Sequence, residues 1–207
     1  MFLSKFLWRV FDGLWVYLKV VWWRGEDLRV LVEQDYMTRV FNKREFLRRS
    51  AVRLRRAQAR GQTCYILFLD LDGLKALNDS SVGGYAEGDR LIISFSAIIR
   101  LREADLVGRM GGDEFVIVTT EGADGLAIRI EEIATEEGIS FSCGIASHDS
   151  DGTVFVWHHL ENKRELVAMD GGLTACENLK ALIQLASERM KVLKKEKIAA
   201  GNKLVRV

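Results

Sequence analysis

The order of elements along this 207-residue chain predicts an α+β domain in which helices pack on a sheet. Three observations carry that expectation. Residues 63–69 form a near-continuous apolar run, the mark of a buried strand. Two shorter β-type runs, 105–110 and 115–118, flank Gly111-Gly112, the spacing of a tight hairpin. Between Leu179 and Leu193 the apolar residues recur with a 3.6 period, which places an amphipathic helix near the end of the chain.

In order, the pattern predicts helix 43–59, strand 63–70, helix 85–101, paired strands 105–119, helix 123–137, strand 139–146 and helix 177–197. Between the last two, residues 147–175 hold two β-like runs, 153–157 and 165–169, around the polar Asn162-Lys163 turn, and read as an extra hairpin. The only histidines, His148, His158 and His159, fit no metal spacing with Cys176 and read as solvated loop residues. The chain has room for one substantial core. Its net charge of +1 argues against a nucleic-acid binder driven by phosphate neutralisation. Cys64, Cys143 and Cys176 are odd in number and scattered, which suits reduced thiols in a cytoplasmic protein.

Residues 1–33 read as an aromatic-rich amphipathic helix and a joint, ahead of a domain spanning 34–207. Trp8, Trp15 and Trp22 form a row along one helical face, and Lys5, Arg9, Asp12 and Lys19 form a charged stripe beside it. The uncharged runs are too short for an ordinary spanning helix, and no small-residue cleavage site marks a secretory signal. Three readings stay open for residues 1–24: an interfacial helix at the inner face of the cytoplasmic membrane, a dimerising helix pair, and a helix packed on the domain.

Two acidic clusters carry the chemistry. The Gly-Gly turn ends in Asp113-Glu114, and the buried strand ends in Asp70-Leu71-Asp72. Alternation sets Asp70 and Asp72 on one face. Carboxylates at the end of a buried strand are costly unless a cation or a donor meets them. A divalent metal bridging the two clusters would satisfy both and attract phosphate. Lys75 and the first backbone N–H groups of the next helix suit phosphate oxygens.

These motifs resemble the GGDEF family, the diguanylate cyclases, over residues 35–146 and more loosely over 177–203. Residues 35–44 (DYMTRVFNKR) look like the family's opening D-x-L-T-G-L-x-N-R, with Arg39 in the place of a glycine. Residues 70–79 (DLDGLKALND) resemble D-x-D-x-F-K-x-x-N-D, and Gly88-Asp89 resembles the G-D of G-H-x-x-G-D, with Tyr85 in the histidine's place. The loop from Asn78 to Asp89 is longer than is usual. Residues 139–146 are similar to the family's S-x-G-I-A strand. Residues 186–194 resemble A-D-x-A-L-Y-x-A-K, but Ile198 stands where an arginine is expected, and Lys195 or Lys197 are its candidate substitutes.

The resemblance implies a central, mostly antiparallel sheet flanked by helices, similar to class III nucleotide cyclases, and the N-terminal helix read from the residue pattern would stand ahead of it. It implies a reaction in which two GTP molecules, held by a homodimer, condense to cyclic di-GMP and two pyrophosphates. Each 3′-hydroxyl attacks the other α-phosphate with the help of two Mg²⁺ (or Mn²⁺) ions per active site. The implied metal ligands are Asp70, the Leu71 carbonyl, Asp113 and Glu114, with Asp113 the general base and Glu114 beside it. Gly73, Leu74, Lys75 and Lys194 would hold phosphates. Asn78 and Asp89 match the guanine readers: a carboxylate accepts from guanine N1–H and N2–H₂, which disfavours adenine. Arg102 and Asp105 match the family's inhibitory R-x-x-D, a product site able to grip guanine edges, where the plainer alternative is an ion pair at a helix end. A module without activity that binds cyclic di-GMP or GTP as a receptor is the other reading, and the presence of Asp70, Asp113 and Glu114 weighs against it. A non-enzymatic membrane-tethered protein is a lesser one.

Overall fold

The computed structural model describes residues 30–79, 84–149, 153–158, 163–167 and 175–199. Segment 1–24, for which three readings were open, lies outside the described residues, as does His159. The chain enters the sheet through β1 (Phe41–Asn42), and Asn42 caps α1 (Lys43–Ala59) by accepting the Glu45 N–H at 3.0 Å. Then come β2 (Cys64–Leu71), α2 (Leu74–Asn78), α3 (Gly84–Ile98), β3 (Leu106–Gly111), β4 (Glu114–Thr119) and α4 (Ala123–Glu136). The chain continues through β5 (Phe141–His148), β6 (Val154–His158), β7 (Lys163–Val167) and α5 (Ala175–Ala199).

The sheet runs β1-β3-β4-β2-β5-β6-β7, with β1 parallel to β3 and every other neighbouring pair antiparallel. Alternation along β2 feeds two cores. Leu67, Leu69 and Leu71 pack with Phe95, Leu126 and Ile130 of α3 and α4. Cys64, Ile66 and Phe68 pack with Phe46 and Leu54 of α1 and with Leu182 and Met190 of α5. Helices on both faces are why β2 reads as a continuous apolar run rather than an alternating one. Helix α5 lies hard against β5: a Cβ on Gly144 would sit 2.0 Å from the Ala186 carbonyl oxygen and 2.5 Å from the Met190 nitrogen.

Most boundaries shift by a residue or two from the sequence expectation, and three of the shifts have a physical reason. Helix α3 stops at Ile98 instead of running to 101, because the Arg100 N–H turns back to the Ala97 carbonyl at 3.3 Å before the chain reverses into β3. Strand β5 continues to His148, where β6 pairs with it. His148 is therefore not a solvated loop residue: it is 4% exposed, with Nδ1 3.0 Å from the Asp149 carbonyl oxygen. Strand β7 begins at Lys163, inside the expected turn, in register with His158.

Cys64 and Cys143 are free and buried, and burial pushes both thiols up to about 12. Neither is a nucleophile at neutral pH. Among the described residues no helix is long and apolar enough to cross a membrane.

Candidate active site

Antiparallel pairing brings the two acidic motifs to one end of the sheet. Asp70 stands opposite Glu114 across the β2–β4 ladder and opposite Ser142 on the β5 side. Gly112, with φ at 54°, makes the β3–β4 turn in a backbone region that favours glycine. That turn is braced from both sides. The Leu71 N–H donates to the Asp113 carbonyl at 3.2 Å. The Arg109 guanidinium donates to the Gly112 carbonyl at 3.0 and 2.7 Å and to the Asp35 carboxylate at 3.0 Å. Asp35 also accepts the Thr38 N–H at 3.0 Å and its hydroxyl at 2.7 Å. Burial alone would raise the Asp35 carboxyl, but Thr38 and Arg109 outweigh it and hold it below the usual range. The sequence reading gave Arg109 no role, and its place just ahead of the Gly-Gly pair was the only signal.

At the open end of β2 the balance runs the other way. Burial raises the Asp70 carboxyl, and Asp113 and Asp72 add to the rise against the opposing pull of Lys194. Glu114 is raised by burial, then by Asp70 and Asp113. The Lys194 ammonium donates to Asp70 and lies 3.4 Å from Asp72. Burial works against its charge, but the two aspartates outweigh that and raise its pKa. Lys194 sits one turn beyond Met190, whose backbone presses on Gly144, so the tight α5–β5 contact delivers it to this end of the sheet.

Asp72 shares the face of Asp70 but not its surroundings. Its side chain is fully buried and accepts from the Ser140 and Ser142 hydroxyls, each at 2.9 Å, and from the Lys197 ammonium at 2.8 Å. Lys197 donates further to the Ser140 hydroxyl at 2.9 Å and the Phe141 carbonyl at 3.0 Å. Three acceptors use all three of its N–H bonds, so Lys197 as placed has none left for a phosphate. Lys195 is exposed.

Gly73, in the left-handed region at φ 77°, turns β2 into α2, where Leu74 is buried and Lys75 exposed. Asn78 and Asp89 are brought together through Gly88, where an added Cβ would lie 2.0 Å from the Asn78 side-chain oxygen. That oxygen is buried with no hydrogen-bond partner among the described residues, while Asp89 is exposed beside it. A buried acceptor left without a partner makes Asn78 a candidate for contact with a ligand.

Arg102 and Asp105 lie on the turn between α3 and β3, where the Asp105 N–H donates to the Arg102 carbonyl at 3.2 Å, but their side chains do not pair with each other. Arg102 donates to the Glu121 carbonyl at 2.9 Å, and Asp105 Oδ2 is buried without a partner. From α1, Arg53 donates to the Ala104 carbonyl inside this turn at 2.5 Å. Behind the turn is a cleft of about 460 Å³ lined by Arg48, Arg49, Arg53, Arg56, Arg60 and Thr120, among others.

Among the described residues no three carboxylate, histidine or cysteine side chains form a ready cage for a metal ion. The donor set nevertheless suits Mg²⁺. Asp70, Asp113 and Glu114 offer only hard oxygens and repel one another, and Mg²⁺ binds through one or two carboxylates plus substrate phosphates rather than in an all-protein cage.

The comparisons with known proteins agree with this arrangement. The family described as "Diguanylate cyclase, GGDEF domain" matches residues 32–155, more than half of the chain. "Diguanylate cyclase TpbB" of Pseudomonas aeruginosa is 38% identical over 106 residues, 49% of this chain and 24% of that protein. The chain thus spans only a minor part of the first curated relatives it matches. Among solved structures, the coiled coil and GGDEF domain of DgcB from Caulobacter crescentus, in complex with c-di-GMP, covers 95% of both chains with a TM-score of 0.68 at 19% identity, a likeness of fold. The GGDEF domain of TpbB from Pseudomonas aeruginosa gives a TM-score of 0.58 at 26% identity, over 79% of this chain and 89% of that one. With the domain match running from the Asp35 motif through both acidic clusters, this chain is a member of the GGDEF, diguanylate cyclase family.

Proposed function

We propose that the chain is a diguanylate cyclase that condenses two GTP into cyclic di-GMP and two pyrophosphates. The observation that carries this reading is the mutually repelling set Asp70, Asp113 and Glu114 at one sheet end, with the Lys194 ammonium lodged on it. Such a set is costly to the fold and suits the reception of divalent metal cations, which in turn carry the anionic triphosphate. Asp70, the Leu71 carbonyl, Asp113 and Glu114 would hold Mg²⁺, which when bound lowers the pKa of the 3′-hydroxyl and neutralises charge on the phosphates. Asp113 takes the hydroxyl proton, the 3′-oxygen attacks the α-phosphorus of the facing GTP, and pyrophosphate leaves. Lys194, Lys75 and the first N–H groups of α2, which lack helical acceptors, hold the β- and γ-phosphates. Asn78 and Asp89 read guanine, the unpartnered Asn78 oxygen supplying an acceptor for the base. Each site holds one GTP, so two copies of the chain must meet. The aromatic row of residues 1–24 serves either that pairing or contact with a membrane surface.

Product inhibition fits the second polar turn. Asp105 with its bare oxygen accepts guanine N1–H, Arg102 reaches the O6 and N7 edge, and the arginines of the adjoining cleft face the phosphodiesters.

The test is incubation of the purified full chain with GTP and Mg²⁺ and chromatographic separation of the products. Cyclic di-GMP and pyrophosphate should form, and Asp113→Ala should lower the rate by about a thousandfold or more while the chain stays folded. No product at high protein concentration, together with cyclic di-GMP binding that depends on Arg102, would instead identify a receptor. Deletion of residues 1–24 separates their two roles: lost membrane association, or lost activity at dilute protein.

A further inference from the structure

We propose that Asp72 and Lys197 form a clamp that positions Lys194 for the nucleotide, a role that rests on the cyclase reading. Helix α5 ends beyond the edge of its packing on the sheet. Its last core contacts are Met190 and Leu193, and Ile198 is already 52% exposed. A terminal helical turn without core contacts frays, and a lysine on it would sample many positions. Here the turn is tied down at one point. Lys197 reaches the buried carboxylate of Asp72, the Ser140 hydroxyl and the Phe141 carbonyl, all on the ends of β2 and β5 or just outside them.

The tie has its own foundation. Asp72 is held by both serine hydroxyls, and its N–H donates to the Ser140 carbonyl at 2.9 Å. Lys194 lies one turn before Lys197 on the same helical face, and it alone of the pair touches Asp70. Gly144 fixes α5 on one side of Lys194 and Asp72 fixes it on the other. The clamp also divides labour between the lysines: Asp72 takes Lys197 out of the nucleotide site and leaves Lys194 in it. Lys197 is thus a positioning residue and not a substitute for the arginine that Ile198 replaces.

The experiment is a double-mutant cycle on the full chain, read by calorimetric binding of a non-hydrolysable GTP analogue with Mg²⁺. Lys197→Met should weaken binding about tenfold in the wild-type background and by no more than about twofold when Lys194→Met is already present. Lys197→Arg, which can still pair with Asp72, should recover most of the loss. Equal losses in both backgrounds would mean that Lys197 acts on the nucleotide itself or on the fold at large, and would overturn the proposal. So would no loss at all. Asp72→Asn should show the same dependence on Lys194, and if that variant fails to fold the Lys197 cycle still decides.

Lysine acylation read by mass spectrometry, without nucleotide, separates the clamp from the cyclase reading. Lys194 and Lys197 should react more slowly than exposed Lys195, and Asp72→Asn should remove the protection of both. Protection of that kind in a chain that binds no GTP analogue would overturn the nucleotide role of both lysines and the cyclase reading with it. Absence of protection in a chain that does bind the analogue would overturn the clamp alone.

Discussion

Two polar regions share one end of the sheet and are built in opposite ways. Around Asp72 and Arg109 every group is matched: Asp72 meets two hydroxyls and an ammonium, and Arg109 joins Asp35 to the Gly112 carbonyl. Around Asp70 and Asn78 matching stops short, with burial and mutual repulsion outweighing the nearby lysines at Asp70 and Glu114 and a buried amide oxygen bare. Asp105 belongs with the second kind. The difference teaches how to sort these residues. Saturated networks rigidify the frame, whereas a buried polar group without a partner marks where a ligand completes the structure.

If that sorting holds, substitutions in the two classes fail differently. After the loss of turnover in Asp113→Ala, the largest expected effect is at the product turn. Arg102→Ala should raise the cyclic di-GMP concentration for half inhibition by about tenfold or more, since a two-point grip on a base edge contributes about 1–3 kcal/mol. Thermal stability should hardly move. An unchanged inhibition curve would place Arg102 with the frame, as a tie to the Glu121 carbonyl and nothing more.

The brace should behave in the reverse sense. Arg109 is 10% exposed at its side chain and Asp35 18%, so Arg109→Met leaves a largely buried carboxylate with Thr38 but without its counter-charge. The loss expected in denaturant unfolding is about 2 kcal/mol, below the range for fully buried pairs because both groups keep some contact with water. Turnover should fall as well, through a loosened Gly-Gly turn. A variant of full stability would show that the turn holds its shape without the tie.

How much of this was legible depended on distance along the chain. Helix α1 was legible to the residue at 43–59, although its cap, Asn42, entered the sequence analysis only as part of the opening motif. The β2 run and the Gly-Gly hairpin were local too, and the motif spacing named the family. The sharing of the face at Asp70 and Asp72 was also readable, but not their separation. What divides them is Ser140, Ser142 and Lys197, and Lys197 lies 125 residues from Asp72. No period or motif predicts which of three neighbouring lysines an α5 packed on Gly144 will aim inward. His148 was misplaced for a related reason: the run at 153–157 was legible as a strand, but not its pairing onto β5, which carries β5 on to His148 between Cys64 and Val154.

Arg39 tests the frame in another way, through the backbone. It is the one residue other than glycine with positive φ among those described, at 60°, and its N–H still donates to the Asp35 carbonyl at 2.9 Å. The family's glycine at this place is thus a conformational requirement that the chain meets with an arginine. Arg39→Gly should stabilise by about 0.5–1 kcal/mol, the relief of a left-handed side chain less the extra entropy of an unfolded glycine. Destabilisation would mean that the guanidinium does something for the brace that outweighs the strain.

The smallest effect has the most telling sign. The Glu114 carboxyl is raised above its ordinary 4.5 by burial and by Asp70 and Asp113, so the native chain keeps that proton to higher pH than the unfolded chain does. Stability therefore falls as pH rises through the interval above 4.5, and the deficit persists at neutral pH. Glu114→Gln should remove it, with a gain of about 0.5 kcal/mol near neutrality after allowance for solvent screening and no gain in acid. Glu45 in α1 shows the frame's opposite sign. Arg48 foremost, joined by Arg49 against the pull of burial, lowers its carboxyl to about 2, so its contribution is present above 4.5 and is lost as pH falls toward 2. A neutral-pH loss in Glu114→Gln would put Glu114 beside Glu45 as a frame residue, whereas a gain in stability bought with lost turnover would show the site held under charge strain until a metal and a triphosphate relieve it.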